Sequence, residues 1–207
     1  MELEIIEEIE EMDLEIIGEE VEIEIGRTLQ WLLSQKLNRT QLGAFTKEIL
    51  KFRGRIFVTG VGRSGNVAES FAMRLMQLGY DVRVLGEPTA PPVKKGNLLI
   101  VISGGGEHKI KEVELVRQIG AKIIVITSYP DSTLGKLSDM VVCIPGRTEV
   151  LPESYEERRL KGLPVIPLGT TFELLTMIVL DSVIGVIAAF YKKTEKDLRN
   201  NHAWPEV

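Results

Sequence analysis

Arg55-Ile-Phe-Val-Thr-Gly60-Val-Gly-Arg-Ser-Gly65 is the stretch whose reading decides the fold. Arg55 to Thr59 make a short apolar strand, and such a strand belongs inside a parallel sheet covered on both sides. Gly60, Gly62 and Gly65 then break the pattern. Val67 to Leu78 reads as a helix, stopped by Gly79 at its C′ position. Strand, glycine turn and helix are the first half of a β-α-β unit.

Downstream the same order recurs. Strands are predicted at 81–85 and 98–102, with a proline-rich turn between them. Ser103-Gly-Gly-Gly106 is a second glycine turn, and a helix over about 109–119 follows it and ends at Gly120. A strand at 122–127 leads through Ser128-Tyr-Pro-Asp131 and a short helix to a last strand at 140–144. This alternation predicts an α/β fold, a three-layer α/β/α sandwich on a five-stranded parallel sheet. Upstream, the spacing is helical. Ile5, Ile9, Met12 and Ile16 share one face, Gly18 interrupts, and Val21, Ile25, Leu29 and Leu32 carry a second pattern to about Leu37. A third helix is predicted over 41–52. Residues 145–169, with four prolines and many charges, read as a long loop. A long apolar helix follows from Thr170 to Tyr191, with Thr170 and Glu173 at capping-box spacing. A polar helix and a short tail, Asn201 to Val207, end the sequence.

At 207 residues, 44% apolar and 27% charged, the chain is a globular sequence with enough material for one sizeable core. Its one cysteine, Cys143, allows no intrachain disulfide, reads as core filler and suits a cytoplasmic setting. No signal peptide is expected. The apolar run from Met177 to Tyr191 contains Asp181 and is short for a spanning helix, so no membrane partner is expected either. The net charge of −5 hides an asymmetry: residues 1–26 hold 12 carboxylates and no Lys or Arg, while the rest hold 18 acids against 25 bases. A mildly basic body suits an anionic small molecule. It lacks the dense basic stripe of a nucleic-acid binder, and the acidic arm repels phosphate backbones.

In an open parallel sheet, ligands bind beyond the carboxyl ends of the strands. The turns at 60–65 and 103–106 and the Thr127-Ser128 pair all fall there. Backbone N–H groups at such turns bind anions. A phosphorylated ligand is therefore expected against Gly62, Arg63, Ser64, Ser103, Gly104, Gly105 and Ser128, with the anion at Ser64 and Ser103. Gly60-x-Gly62-x-x-Gly65 also matches a dinucleotide fingerprint, with Glu87 where a ribose-binding acid would sit. Arg63 and Ser64 put bulky groups where a pyrophosphate would approach, which counts against that alternative.

Several segments together resemble the 6-phospho-3-hexuloisomerases, enzymes built on the sugar isomerase (SIS) domain. They include Gly60-Val-Gly-Arg-Ser-Gly65, Phe71-Ala-Met-Arg-Leu75, Ile102-Ser-Gly104, Pro130-Asp-Ser-Thr-Leu134, Tyr155-Glu-Glu-Arg158 and Pro167-Leu-Gly-Thr170. The resemblance covers residues 21–207 and leaves 1–20 as an acidic helical extension. It implies interconversion of 3-hexulose 6-phosphate and fructose 6-phosphate through a cis-enediol, without metal or cofactor. It also implies that Glu173 and His202 are catalytic and that the enzyme is a homo-oligomer. The apolar helices point to a tetramer, and Arg74 is expected to pair with an acid, within the chain or across subunits. The family's second turn reads Ser-Gly-Ser-Gly-Glu-Thr, whereas this chain has Ser103-Gly-Gly-Gly-Glu-His108. Two phosphate-binding hydroxyls are missing, a difference of about 3–6 kcal/mol if nothing replaces them. His108 either substitutes as a phosphate contact or narrows the pocket. A non-catalytic module that binds a sugar phosphate is the alternative to an isomerase.

Overall fold

The computed structural model describes residues 13–146, 154–167 and 169–201. In chain order its elements are α1 (Leu14–Ser34), α2 (Arg39–Lys51), β1 (Ile56–Gly60), α3 (Arg63–Gln77), β2 (Val82–Val84), β3 (Leu98–Ile102), α4 (Ile110–Ile119), β4 (Lys122–Thr127), α5 (Thr133–Leu137), β5 (Met140–Cys143), α6 (Tyr155–Leu160), α7 (Thr170–Phe190) and α8 (Glu195–Asn200). They fall into two compact units: residues 13–35 with 154–167, and residues 36–146 with 169–201.

The smaller unit holds α1 and α6. Asp13 caps α1, and the helix runs straight through Gly18, so the break expected there is absent. The boundary drawn at residue 20 falls inside this helix. A helical glycine costs about 1 kcal/mol relative to alanine, which the long helix absorbs. The carboxylate of Glu20 pairs with Arg159, and that of Glu24 accepts the Val165 N–H at 2.6 Å. The segment expected as pure loop therefore contains a helix. Ser154 and Glu157 start α6 with a reciprocal capping box, the backbone N–H of each donating to the other's side chain at 3.1 and 2.7 Å.

The larger unit is the predicted sandwich. Five parallel strands lie in the order β2-β1-β3-β4-β5. Ile56 pairs with Leu98, and Ile100 with Ile124, so residues in register share a face. Alternation sends Phe57, Leu99, Val101, Ile123 and Val125 to one side, where Val113 and Val116 of α4 and Leu134 of α5 cover them. The other face lies under α2, α3 and α7, with Phe45 and Phe71 fully buried and their ring centroids 6.3 Å apart. Each such side chain contributes roughly 1.5–3 kcal/mol by burial.

α7 is 21 residues with a mean hydropathy of 2.0, long and apolar enough to cross a bilayer by length and composition alone. It is the long apolar helix expected from Thr170 to Tyr191, ending one residue earlier. Phe172, Leu175, Val179, Leu180 and Ile187 are buried in this unit as core. Arg74 of α3 meets Asp181 of α7 at 3.9 Å within the same chain. Both sheet edges are short and partly closed. At β5 the Cys143 N–H donates to the side-chain oxygen of Gln41 at 3.2 Å, and at β2 the Arg83 guanidinium turns back to donate to the Val82 carbonyl at 2.7 Å.

Candidate functional site

The strand order reverses between β1 and β3, the place where an open α/β sheet leaves a crevice. A cleft of about 170 Å3 opens there. Ser64 comes to it from α3, Ser103, Gly105 and His108 from the turn after β3, and Phe172 and Glu173 from α7.

Close backbone approach builds both turns. A Cβ at Gly60 would lie 2.6 Å from the Ser64 carbonyl oxygen, so β1 runs directly under the first turn of α3. In the second turn, the Gly106 N–H donates to both the carbonyl and the hydroxyl oxygen of Ser103, at 3.0 and 3.2 Å. Gly106 has φ +70°, and a Cβ there would sit 2.0 Å from the Ser132 hydroxyl. The Thr127 hydroxyl and the Ser128 N–H both donate to the Gly104 carbonyl at 3.1 Å, which fixes the turn to β4. Gly105 differs from these: among the described residues, nothing beyond its chain neighbours lies within 4 Å of where its side chain would begin.

The helix termini show how charge is arranged. Asp13, Asn38, Ser132, Ser154 and Thr194 cap α1, α2, α5, α6 and α8 with a side-chain oxygen. The three helices that begin at the cleft, α3, α4 and α7, have no side-chain cap. Their first-turn N–H groups and the positive ends of their dipoles are left for something other than the helix's own side chains. The Ser103 hydroxyl already accepts from Gly106, so its own proton is the part available to a ligand. The Ser64 hydroxyl has no protein partner among the described residues.

Glu173 corrects an expectation. The N-cap of α7 is Gly169, left-handed at φ 87°, and no capping box forms with Thr170. The Glu173 carboxylate is free of the helix end and pairs instead with Arg63 of α3. Its side chain is 12% exposed, while that of Arg63 is 62% exposed, so the acid lies in the cleft wall and the cation reaches it from the solvent side. A pair this open to water is worth little stability; its effect is to aim the carboxylate.

The structure therefore brings Ser64, Ser103, Gly104, Gly105, His108 and Glu173 together. Gly62 stands at the N-cap of α3, and Arg63 joins through Glu173. Ser128 does not line the cleft; its hydroxyl donates to the Ile144 carbonyl at 2.7 Å, and the residue braces the turn. His202 lies outside the described residues. Burial pushes the Cys143 thiol up, in keeping with core filler. Phe172 went unrecognised: its ring comes within 3.0 Å of a Cβ position on Gly104 and forms the apolar wall. Its signal in the sequence was the place right after Gly-Thr-Thr at a helix start.

Comparison with known proteins places the chain in a family. A family model described as the SIS domain matches residues 49–158. A protein of Aeropyrum pernix without an assigned function is 42% identical over 78% of each chain. The 3-hexulose-6-phosphate isomerase of Mycobacterium gastri is 34% identical over 81% of each chain. A crystal structure from Methanococcus jannaschii, described as inferring a molecular function of 3-hexulose-6-phosphate isomerase, superposes with a TM-score of 0.68 at 30% identity, covering 91% of this chain and 99% of that one.

Proposed function

The chain belongs to the SIS-domain family, among the relatives of the 3-hexulose-6-phosphate isomerases, and from that premise we propose that it interconverts 3-hexulose 6-phosphate and fructose 6-phosphate. The observation that carries this reading is the Glu173 carboxylate, held in the cleft wall by Arg63 and spent on no cap. The phosphate binds at the uncapped starts of α3 and α4, with the Ser64 and Ser103 hydroxyls donating to it. Glu173 takes the proton from C2, next to the C3 carbonyl, and a cis-enediol forms. The same proton returns at C3, while a hydroxyl proton passes between the two oxygens. Nothing is oxidised or reduced overall. A carboxylate and a histidine are suited to this exchange because proteins tune both towards neutrality.

His202 is the acid at oxygen in this reading, and it acts in a neighbouring subunit's cleft. Asn201 donates to the Gln77 carbonyl at 2.9 Å, at the end of α3 away from Ser64. α3 has 15 residues, about 20 Å of rise, so Asn201 is anchored far along the helix from Ser64. The partner is a second copy of the chain, in a cytoplasmic homotetramer. Leu174, Ile178, Val186 and Phe190 form an exposed apolar stripe along α7, and isologous packing would bury it. The body that does this is residues 21–207, with 1–20 as the extension.

Conversion of 3-hexulose 6-phosphate to fructose 6-phosphate, followed with an enzyme that consumes the product, tests the reading. Tight binding of fructose 6-phosphate without turnover would instead support the non-catalytic module. The open space at Gly105, where the family has a hydroxyl, favours that second reading.

A further inference from the structure

Two hydroxyls of the family's phosphate turn are absent here, and His108 stands on the cleft in the place of one of them. His108 is exposed, and among the described residues nothing outside the turn lies within 4 Å of a Cβ placed on Gly105. The histidine is therefore not a wedge that closes the pocket; it stands at the rim of a cleft left wider on its side. The residue after it, Lys109, is one of two described non-glycine residues with positive φ, at +69°, and it forms the uncapped N-cap of α4. Such backbone costs of order 1–3 kcal/mol and clusters at active sites and ligand clamps.

The charges around His108 are otherwise committed. The Lys109 ammonium pairs with Glu112 at 3.0 Å, along α4. The Glu107 carboxylate accepts from the Thr133 N–H of α5 at 2.8 Å, near Lys136 and near enough to His108 to feel its charge. Across the cleft, Arg63 of α3 is paired with Glu173 of α7. Among the described residues, His108 is thus the one basic side chain lining the cleft, and no carboxylate stands at salt-bridge distance from it.

We propose that the His108 imidazolium completes the phosphate cradle in place of the missing hydroxyls, so that the cleft's hold on its sugar phosphate rises and falls with one proton on that ring. Histidine is the side chain whose charge changes near neutrality, and a hydroxyl in its place could not be switched this way. Binding then takes up protons at any pH where the free imidazole is partly neutral. The inference rests on the sugar phosphate occupying this cleft, but not on its being turned over.

Inorganic sulfate is the decisive probe, because it has no proton to gain or lose near neutrality. Sulfate and fructose 6-phosphate are titrated by calorimetry between pH 5.5 and 8.5, in buffers of differing ionisation enthalpy. Sulfate affinity is expected to fall about tenfold or more across that range, with proton uptake and with competition by fructose 6-phosphate. In His108→Gln the proton uptake should vanish, and the affinity should be flat and low. In His108→Lys it should be flat and near the acid value. A wild-type sulfate affinity independent of pH, or the same pH dependence in His108→Gln, overturns the proposal. Absence of turnover with the proton linkage intact would sink the isomerase reading and leave this one standing.

Discussion

Two strand–helix junctions at the same end of the sheet treat their helix starts in opposite ways. Where β4 runs into α5, the protein supplies the negative charge itself: Glu107 accepts the Thr133 N–H, and Ser132 accepts that of Gly135 at 3.3 Å. Where β1 runs into α3, the N-cap is a bare glycine with no side-chain cap, and the nearby carboxylate, Glu173, is paired with the Arg63 side chain rather than with a first-turn N–H. Both ends carry the same partial positive charge. What separates a structural junction from a binding one is whether the chain spends its own anion there.

The contrast breaks hardest at Glu173. Glu173→Gln keeps the size and the helix but removes the proposed base, so kcat should fall by roughly 10²–10⁴, with fructose 6-phosphate affinity changed by only a few-fold. Turnover and calorimetric titration check this, and an unchanged kcat would make Glu173 a positioning group at most. Ser64→Asp makes the open junction resemble the closed one. A fixed carboxylate repels the phosphate by up to about 4 kcal/mol at contact range, so affinity should drop at least about a hundredfold. Thermal stability should hold or rise by about 0.3–1 kcal/mol through the α3 dipole. A variant that bound as before would place the anion elsewhere.

The capped side of the comparison predicts smaller changes of another kind. Asn38 accepts the Gln41 N–H at 3.1 Å, and Asn38→Ala should cost about 1 kcal/mol of stability by chemical denaturation and leave KM alone. The smallest effect belongs to Glu107. Hydrogen bonds from Thr133 hold its carboxyl below the ordinary glutamate range. Its folded pKa is depressed, so its contribution is complete above the ordinary glutamate pKa and disappears as pH falls through the lower folded value. Thermal melts across that acid window should show a shallower decline in Glu107→Gln than in the parent.

Most of the fold was legible because it is local. Each glycine turn follows an apolar strand directly, and both turns proved to lie at neighbouring strand ends. The errors came where local signals compete. Thr170 and Glu173 have the spacing of a capping box, yet left-handed Gly169 takes the cap, and the acid finds a partner 110 residues away, a pairing no spacing rule reveals. The α6 helix was readable after all, since Ser154 and Glu157 carry the same spacing and do form the box. Prolines on either side of it had argued for loop. Ser128 was grouped with the ligand turns by position along the strand, but its hydroxyl turned out to be engaged with Ile144.

The closed sheet edges restrict how copies of this chain can meet. An edge strand with unpaired N–H groups is a template for another strand. Here β2 is three residues long with Arg83 folded over it, and β5 is four residues long with Gln41 bonded to its last N–H. Each flank therefore offers a further strand only a short, partly occupied template. Growth by strand addition, whether into a continuous intersubunit sheet or into a fibre, is disfavoured at both flanks. The helical faces carry no such constraint, and a contact there between two like surfaces would close on itself and stop.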